Sequence, residues 1–232
     1  DAPFLVDLIE RAYRGPETGV RDRVSYVLKQ EKLRFVITGA LGPVGEVAGH
    51  VRLHGDGVKD LAWWVDDARE AFRLAVARGA QPSAEPRVIE DAHGHIVIAA
   101  IRTYGDTIHS LVERKGYTGA FMPGFEPLAS RLDVAPTGIK YVDHCVGNVE
   151  LGRMNEWVAF YERVMGFRNL VSFDDNDIST EYSSLMSKVM SNGNERIKLP
   201  INEPAAGRRK SQIDEYLEFY GGPGVQHVAL AT

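Results

Sequence analysis

The chain has 232 residues, of which 44% are hydrophobic and 25% are charged, a composition typical of folded globular domains. A net charge of −5, with lysine and arginine dispersed along the chain, excludes the basic footprint of a nucleic-acid-binding protein. A single cysteine excludes an internal disulfide framework, and no apolar run is long enough for a membrane helix. We therefore expect a cytoplasmic protein whose partners include neither nucleic acid nor membrane.

The first half of the chain predicts a β-α-β-β order of elements. Residues 3–13 are expected to form a helix, and residues 23–38 a hairpin. The β-branched and aromatic residues 58–65 predict a strand. An amphipathic segment follows that begins at the capping residue Asp67 and ends at Gly79, which predicts a helix. Two further strands are expected at "HIVIAAIRTY" and "TIHSLVER", and one more near "PRVIE".

The second half repeats this order. "YVDHCVGNV" predicts a strand, "MNEWVAFYERVMGF" a helix, and "NLVSF", "TEYSSLMSKVM" and "ERIKLPI" three more strands. A polar helix over residues 211–219 and a last strand over residues 225–231 complete the pattern. Residues 116–138 are rich in Gly and Pro and have no period, which indicates a linker. We predict an α+β fold with an N-terminal domain at residues 1–115 and a catalytic domain at residues 139–232.

Two strand histidines are the residues that suggest chemistry. "HGDGVKDLAWWV" and "YGGPGVQHVALAT" align without a gap, and Asp60 falls where His227 stands. The fold alone therefore does not require a histidine at this position, and His227 is a candidate for chemistry. His144 occupies the equivalent place in its own strand. Two imidazoles with one carboxylate leave iron(II) open positions, although a strand histidine is often a structural residue, and both interpretations stay open here.

Several motifs resemble the 4-hydroxyphenylpyruvate dioxygenase family of the vicinal-oxygen-chelate superfamily, whose members are built from β-α-β-β-β modules. The resemblance is dense over residues 139–232, in "YVDHCVGNVELGRMNEWVAFYERVMGF", "LPINEP" and "RRKSQIDEYLEFYGGPGVQHVAL". It is looser over residues 13–114. The resemblance implies two domains of such modules, of which the last is incomplete.

The resemblance also implies roles for individual residues. It assigns iron(II) to His144 and His227. It assigns the substrate to five residues: Ser187, Pro200, Asn202, Gln212 and Gln226. Of these, Gln212 and Gln226 are the expected catalytic residues, and Pro200 shapes the wall. Taken singly, each is better explained as a turn or surface residue, and only the set within matching motifs favours a site.

The activity that the resemblance implies is the conversion of 4-hydroxyphenylpyruvate and dioxygen to homogentisate and carbon dioxide in tyrosine catabolism. The 2-oxo acid chelates iron and supplies the electrons of its own decarboxylation, so no second cosubstrate is needed. We expect a homo-oligomer. Two alternatives stay open: 4-hydroxymandelate synthase, which uses the same substrate, and a non-catalytic member that sequesters a small aromatic ligand without metal.

The sequence departs from the family in one respect. The family's third ligand is a glutamate on a strand beyond the "GVQH" strand, so we expect these 232 residues to be a piece of a longer enzyme and to be inactive alone. In the first half, Asp60 and Ser110 stand at ligand-equivalent positions, which predicts a module without iron. Glu113 belongs to that half and is not expected to replace the missing ligand. Cys145 is expected on the strand face opposite to His144.

Overall fold

The chain folds into three β-sheets and four α-helices over the residues that this computed structural model describes, which are 9–129, 137–173, 179–180, 183–205 and 210–232. The order of helices and strands confirms the predicted α+β class and its β-α-β-β-β pattern. No helix in these ranges is long and apolar enough to cross a membrane.

The first sheet contains the N-terminal strands in the order β3-β2-β1-β8. Its members are β1 (Ile9–Arg14), β2 (Arg23–Gln30), β3 (Leu33–Ala40) and β8 (Glu126–Pro127), and α1 (Glu46–His54) follows β3. β2 and β3 form the predicted hairpin. The helix predicted over residues 3–13 is wrong where the structure describes it, because Ile9–Arg14 pairs with β2 as an antiparallel strand. Residues 1–8 lie outside the described residues.

The second sheet and one helix form the first module. Its elements are β4 (Trp63–Trp64), α2 (Ala68–Ala77), β5 (Pro82–Asp91), β6 (Gly94–Arg102) and β7 (Ile108–Glu113), and the strand order is β4-β7-β6-β5. α2 begins where the Asp67 carboxylate accepts a hydrogen bond from the Glu70 amide at 2.8 Å, as the capping pattern predicts. The strand predicted over residues 58–65 is shorter, although an isolated bridge also joins Asp60 to Ile108.

The third sheet and its helices form the second module and the strand that follows it. The elements are β9 (Tyr141–Asn148), α3 (Met154–Met165), β10 (Arg168–Phe173), β11 (Ser179–Thr180), β12 (Ser183–Ser191), β13 (Lys198–Pro204), α4 (Gln212–Tyr220) and β14 (Gly224–Ala231). The strand order is β10-β12-β13-β9-β14, with β11 paired to β12. β13 runs parallel to β9, and β14 runs antiparallel to it. β9 and β14, which carry the two histidines, are therefore neighbours.

One hydrophobic core joins the two modules. The buried side chain of Tyr104, which follows β6, packs edge-on against Trp157 of α3 with ring centroids 5.8 Å apart. Gly147 of β9 leaves the space that the Tyr104 ring occupies, because a Cβ atom built on Gly147 would lie 2.5 Å from that ring. The domain boundaries predicted at residues 115 and 139 stay a prediction. The shared core contains residues of both predicted domains, and β8 lies inside the predicted linker.

Candidate metal and substrate site

The two candidate histidines lie side by side on the third sheet. His144 is paired with Ala229 across the β9/β14 ladder, and His227 is paired with Val146. Directly paired residues point to the same face of a sheet, so both imidazoles stand on one face. Their ring centroids are 5.6 Å apart and the rings are close to perpendicular. This distance places the rings within reach of one cation.

A β-bulge precedes each histidine along its own strand. The register of the ladder shifts at Asp143 on β9 and at Gln226 on β14, so each of these residues is the extra residue of a bulge. Strict alternation would turn a residue away from its neighbour's side chain, but here each bulged side chain reaches the following histidine. His144 Nδ1 lies 2.8 Å from Asp143 Oδ2, and His227 Nδ1 lies 2.9 Å from Gln226 Oε1.

These two contacts determine which ring nitrogen of each histidine is free. A carboxylate oxygen and an amide oxygen can only accept hydrogen bonds, so Nδ1 of each histidine must donate. In a neutral imidazole the proton on Nδ1 leaves the Nε2 lone pair available to a metal. His144 and His227 therefore both present Nε2 as a ligand atom.

Charge around the pair supports this assignment. The hydrogen bond from His144 and the Lys198 ammonium, 2.7 Å away, hold the pKa of Asp143 below its usual value, so this carboxylate is ionised at neutral pH. Partial burial, followed by the neighbouring His144, lowers the pKa of His227. A neutral His227 is the form that binds a metal.

The sheet register brings three more predicted residues to the same face. Asn202 of β13 pairs with Asn148 of β9, and Ser187 of β12 pairs with Asn202. Pro200 lies two residues before Asn202 on β13, so its ring points to the same side. Asn148 is fully buried, and its Nδ2 has no hydrogen-bond partner among the described residues. The face thus combines two imidazoles with a row of uncharged polar groups.

Gln212 and Cys145 are placed differently from this row. Gln212 is exposed at the first residue of α4, and no hydrogen bond joins its side chain to another described residue. The described contacts therefore do not bring Gln212 to the histidines, and its catalytic role stays a prediction, as does that of Gln226. Cys145 is buried in the shared core, on the side of β9 opposite to His144.

The donor set fits iron(II) as two of its ligands. Neutral imidazole is a common ligand of this metal, and the usual open site adds one carboxylate. Over the described ranges, no group of three or more His, Cys, Asp or Glu side chains is arranged to hold a metal ion. Glu113 does not supply a third ligand, because its carboxylate accepts the Ala68 amide hydrogen bond at 3.1 Å at the start of α2.

Sequence reasoning missed two residues of this site. Asp143 precedes His144 directly, and only the bulge brings its carboxylate to the imidazole. Asn148 follows His144 by four residues and lies on the same face of the strand. An amide side chain in an otherwise apolar strand is costly to bury without a partner, and this was the signal that could have identified Asn148.

Comparison with known proteins gives a family similarity for the part of the chain that carries this site. Residues 141–232 match the model of the glyoxalase/bleomycin resistance protein/dioxygenase superfamily. The matched residues contain both histidines and all five predicted substrate residues.

Particular relatives give a narrower similarity and confirm the resemblance. The chain is 45% identical over 95% of its length to a 4-hydroxyphenylpyruvate dioxygenase of Yarrowia lipolytica, and 47% identical to one of Xenopus tropicalis. It spans 58% of the length of each of these relatives. A mutant of 4-hydroxymandelate synthase from Streptomyces coelicolor superposes with a TM-score of 0.85 at 31% identity, over 99% of this chain and 66% of that one.

Proposed function

We propose that this protein is an iron(II)-dependent 4-hydroxyphenylpyruvate dioxygenase, which converts 4-hydroxyphenylpyruvate and dioxygen to homogentisate and carbon dioxide. The observation that carries the proposal is the pair of imidazoles whose Nδ1 atoms are both engaged by the preceding residue. This arrangement leaves two Nε2 atoms as ligands on one sheet face. Identity of 45–47% to enzymes with this name supports the choice of substrate.

His144 and His227 would hold the iron(II), which would supply the redox chemistry of dioxygen and would be chelated by the 2-oxo acid. Asp143 and Gln226 restrict the rotation of the two rings through the Nδ1 contacts, which leaves Nε2 of each ring available to the ion. Lys198 in turn holds Asp143 at 2.7 Å. The protein's part at the metal is thus to fix two ligand directions before the substrate binds.

The polar row beside the histidines would orient the substrate. Ser187, Asn148 and Asn202 offer hydroxyl and amide groups, which can bind a phenol or a keto acid without adding a fixed charge. The unpartnered Nδ2 of Asn148 is a donor available to such a ligand. Pro200, two residues before Asn202 on β13, provides a rigid apolar surface beside this row, on the side of the histidines. We propose Gln212 and Gln226 as further substrate contacts on the basis of the family motifs.

A third ligand is proposed on a further strand that pairs in parallel with β14. In both modules the first strand pairs in parallel with the last, as β4 does with β7 and β9 with β13. β14 is the first strand of such a pattern, and a carboxylate on its parallel partner would reach the ion that His227 binds. Under this proposal a polypeptide limited to these 232 residues binds iron weakly and does not turn over.

A second candidate is 4-hydroxymandelate synthase activity, which the superposition at a TM-score of 0.85 favours. The lower sequence identity of that structure, 31% against 45–47%, is the reason that we place it second. Both reactions consume dioxygen and release carbon dioxide, so only the aromatic product separates them.

The experiment is product identification with the iron-loaded protein, both as these 232 residues and extended by the segment that follows in a relative. We expect the extended protein to consume dioxygen with 4-hydroxyphenylpyruvate and to form homogentisate. The two candidate products are isomers, so they are separated by chromatography against standards and not by mass. Formation of 4-hydroxymandelate establishes the second candidate. Full turnover by the 232-residue form shows that the third ligand is misassigned.

Compartment, assembly and division into domains belong to the same proposal. We propose a cytoplasmic homo-oligomer whose partners are the keto acid and dioxygen, with a non-catalytic N-terminal domain. The single buried cysteine supports a reducing compartment. Size-exclusion chromatography with light scattering tests the assembly, and a monomeric mass contradicts it.

A further inference from the structure

A basic cavity lies in the first half of the chain, separate from the histidine site. Its volume is about 490 Å³, which is the size of a small-molecule site. It is open to solvent on one side and is bordered by the first sheet, β4 and the segment after β7. Four cations and two aromatic side chains line it: Arg11, Lys29, Arg34, Arg114, Trp64 and Phe121. None of these residues belongs to the histidine site.

Among the described residues, none of the four cations forms an ion pair with a carboxylate. The ion pairs in this part of the chain are formed by other side chains. Lys29 and Arg34 stand directly opposite each other on β2 and β3, a like-charge pair that destabilises a sheet. Burial and then the charge of Arg114 lower the pKa of Arg34. Within the described part of the chain, positive charge is thus concentrated here without a neutralising carboxylate.

Arg114 is held in place at the wall of this cavity. Its Nε donates to the carbonyl of Phe121 at 2.7 Å, and a terminal nitrogen donates to the carbonyl of Gly119 at 2.8 Å. Its guanidinium also lies 5.1 Å from the ring centre of Tyr117. A guanidinium fixed in this way loses little freedom when an anion binds, which favours recognition of phosphate or carboxylate.

Trp64 adds an aromatic surface to the charge. Its side chain is 60% exposed, which is unusual for tryptophan, and the Arg34 guanidinium lies 4.5 Å from its ring centre. The neighbouring Trp63 points into the shared core instead. Trp64 therefore presents its ring to the cavity, where a planar ligand can stack beside the guanidinium.

The place of this cavity in the fold is itself informative. Trp64 pairs with Val112 between the parallel strands β4 and β7, as Asn148 pairs with Asn202 between β9 and β13. Trp64 thus occupies in the first module the position that Asn148 occupies on the histidine face of the second. The equivalent sheet face of the first module thus carries an indole where the second module carries an amide, and cations of the first sheet line the same cavity.

We propose that this cavity is a second ligand site, which binds a multivalent organic anion joined to a planar ring, of the nucleoside polyphosphate class. Four cations exceed what a monocarboxylate can neutralise, whereas a diphosphate supplies about three to four negative charges. Trp64 accounts for the ring, since stacking on an aromatic side chain accepts any base. Neither iron nor the keto acid is part of this site.

The test is calorimetric titration of the purified protein with ADP, inorganic pyrophosphate and adenosine. We expect ADP to bind most tightly, pyrophosphate about tenfold more weakly, and adenosine more weakly still. Pyrophosphate lacks the planar ring, and adenosine lacks the phosphates. Lys29→Gln should lower the affinity for ADP about tenfold. Trp64→Phe should lower the affinity for ADP and leave that for pyrophosphate unchanged.

Arg69→Gln is the matched control, because it removes one exposed positive charge on α2 from a residue that does not line the cavity. Lys29 donates no side-chain hydrogen bond to a described residue, so Lys29→Gln should keep the thermal midpoint of the free protein or raise it, which separates lost binding from lost folding. Absence of ADP binding to the wild type, or equal losses in Lys29→Gln and Arg69→Gln, overturns the site. Equal affinities for ADP and pyrophosphate overturn the aromatic half of the proposal.

Discussion

The two modules use the same backbone and treat one position in opposite ways. Counting back four residues from the parallel pairs at Trp64 and Asn148 makes Asp60 the counterpart of His144. Asp60 accepts hydrogen bonds from the Ser110 amide at 3.0 Å and the Ser110 hydroxyl at 2.6 Å, and burial raises its pKa. Both oxygens of Asp60 are thus used within the protein, whereas each histidine keeps Nε2 free. A polar residue in a first strand becomes a ligand only when its neighbours leave an atom unsatisfied.

Replacing His227, in comparison with replacing Asp60, gives the largest expected effect. His227→Ala removes one of the two proposed imidazole ligands and should weaken iron(II) binding by about 3–4 kcal/mol, or several hundredfold. Asp60→Asn keeps one of the two acceptors that Ser110 uses and should leave iron affinity unchanged. Anaerobic titration of the extended protein with iron(II) measures both. Equal iron affinity in His227→Ala and the wild type would remove His227 from the metal site.

A third imidazole, His109 of β7, contrasts with the half-buried His144 and the exposed His227 because it is buried and both of its ring nitrogens are hydrogen-bonded. Its Nδ1 donates to the Leu61 carbonyl at 2.9 Å, and its Nε2 accepts from the Tyr161 hydroxyl at 2.8 Å. Burial lowers its pKa from 6.5 to about 4. Between about pH 4 and pH 6.5, His109 is therefore neutral in the folded state, whereas the same histidine is protonated in the unfolded chain.

This difference predicts a loss of stability in acid. The unfolded chain binds the extra proton below pH ~6.5, so the free energy of unfolding should fall as the pH drops from there, by about 3 kcal/mol at pH ~4. Denaturant unfolding across this range measures the loss. His109→Gln should flatten the slope, and the exposed His95→Gln should keep it. A slope unchanged in His109→Gln would assign the acid sensitivity to other groups.

How much of this the sequence could predict depends on the range of the interactions. α3 and the strands carrying both histidines followed from local periodicity, and the Gly166 helix end is observed in the left-handed conformation. β1 was mistaken for a helix because only its pairing with β2 makes it a strand. The bulges at Asp143 and Gln226 were also missed. Strict alternation is all that a single strand's sequence displays, whereas a bulge depends on the partner strand.

The contact between Tyr104 and Gly147 offers a test of the joint between the modules. Gly147 corresponds to Trp63, and Tyr104 from the first module fills the space left by its missing side chain. Tyr104 is fully buried, so Gly147→Ala should cost about 2 kcal/mol of unfolding free energy through overpacking. Gly49→Ala is the control, because a Cβ there meets nothing within 4 Å, and it should stabilise α1. An unchanged denaturation midpoint for Gly147→Ala would mean that Tyr104 moves freely.

The residues directly before Asp60 and His144 differ as well, which predicts a smaller effect on iron(II) affinity. Asp143 orients His144, whereas its counterpart Lys59 donates to the Asp106 carbonyl at 2.6 Å. Asp143→Asn can keep the ring contact but loses the charge, and iron(II) affinity should fall about tenfold. The thermal midpoint of the metal-free protein should stay close to wild type. Lys59→Gln serves as the control and should leave iron affinity unchanged, so a loss in both variants would contradict a specific role for Asp143.

The smallest expected effect tests what the modules share. Glu113 of β7 accepts the first amide of α2 from Ala68 at 3.1 Å, and Glu203 of β13 accepts the first amide of α3 from Met154 at 3.0 Å. In both modules a carboxylate on the last strand thus satisfies an unpaired amide where the helix dipole is positive.

Replacing either glutamate by alanine should cost about 1 kcal/mol of unfolding free energy, with the larger loss at Glu203 because it is 4% exposed and its removal also leaves a cavity. Gln at either position keeps the acceptor and should cost about half as much. Glu162→Ala on the exposed side of α3 is the control and should change stability little. The iron affinity of Glu113→Ala should equal that of the wild type. A drop in iron affinity with stability unchanged would instead make Glu113 a metal ligand. The first module would then also supply a ligand atom, and the contrast between the two modules would be lost.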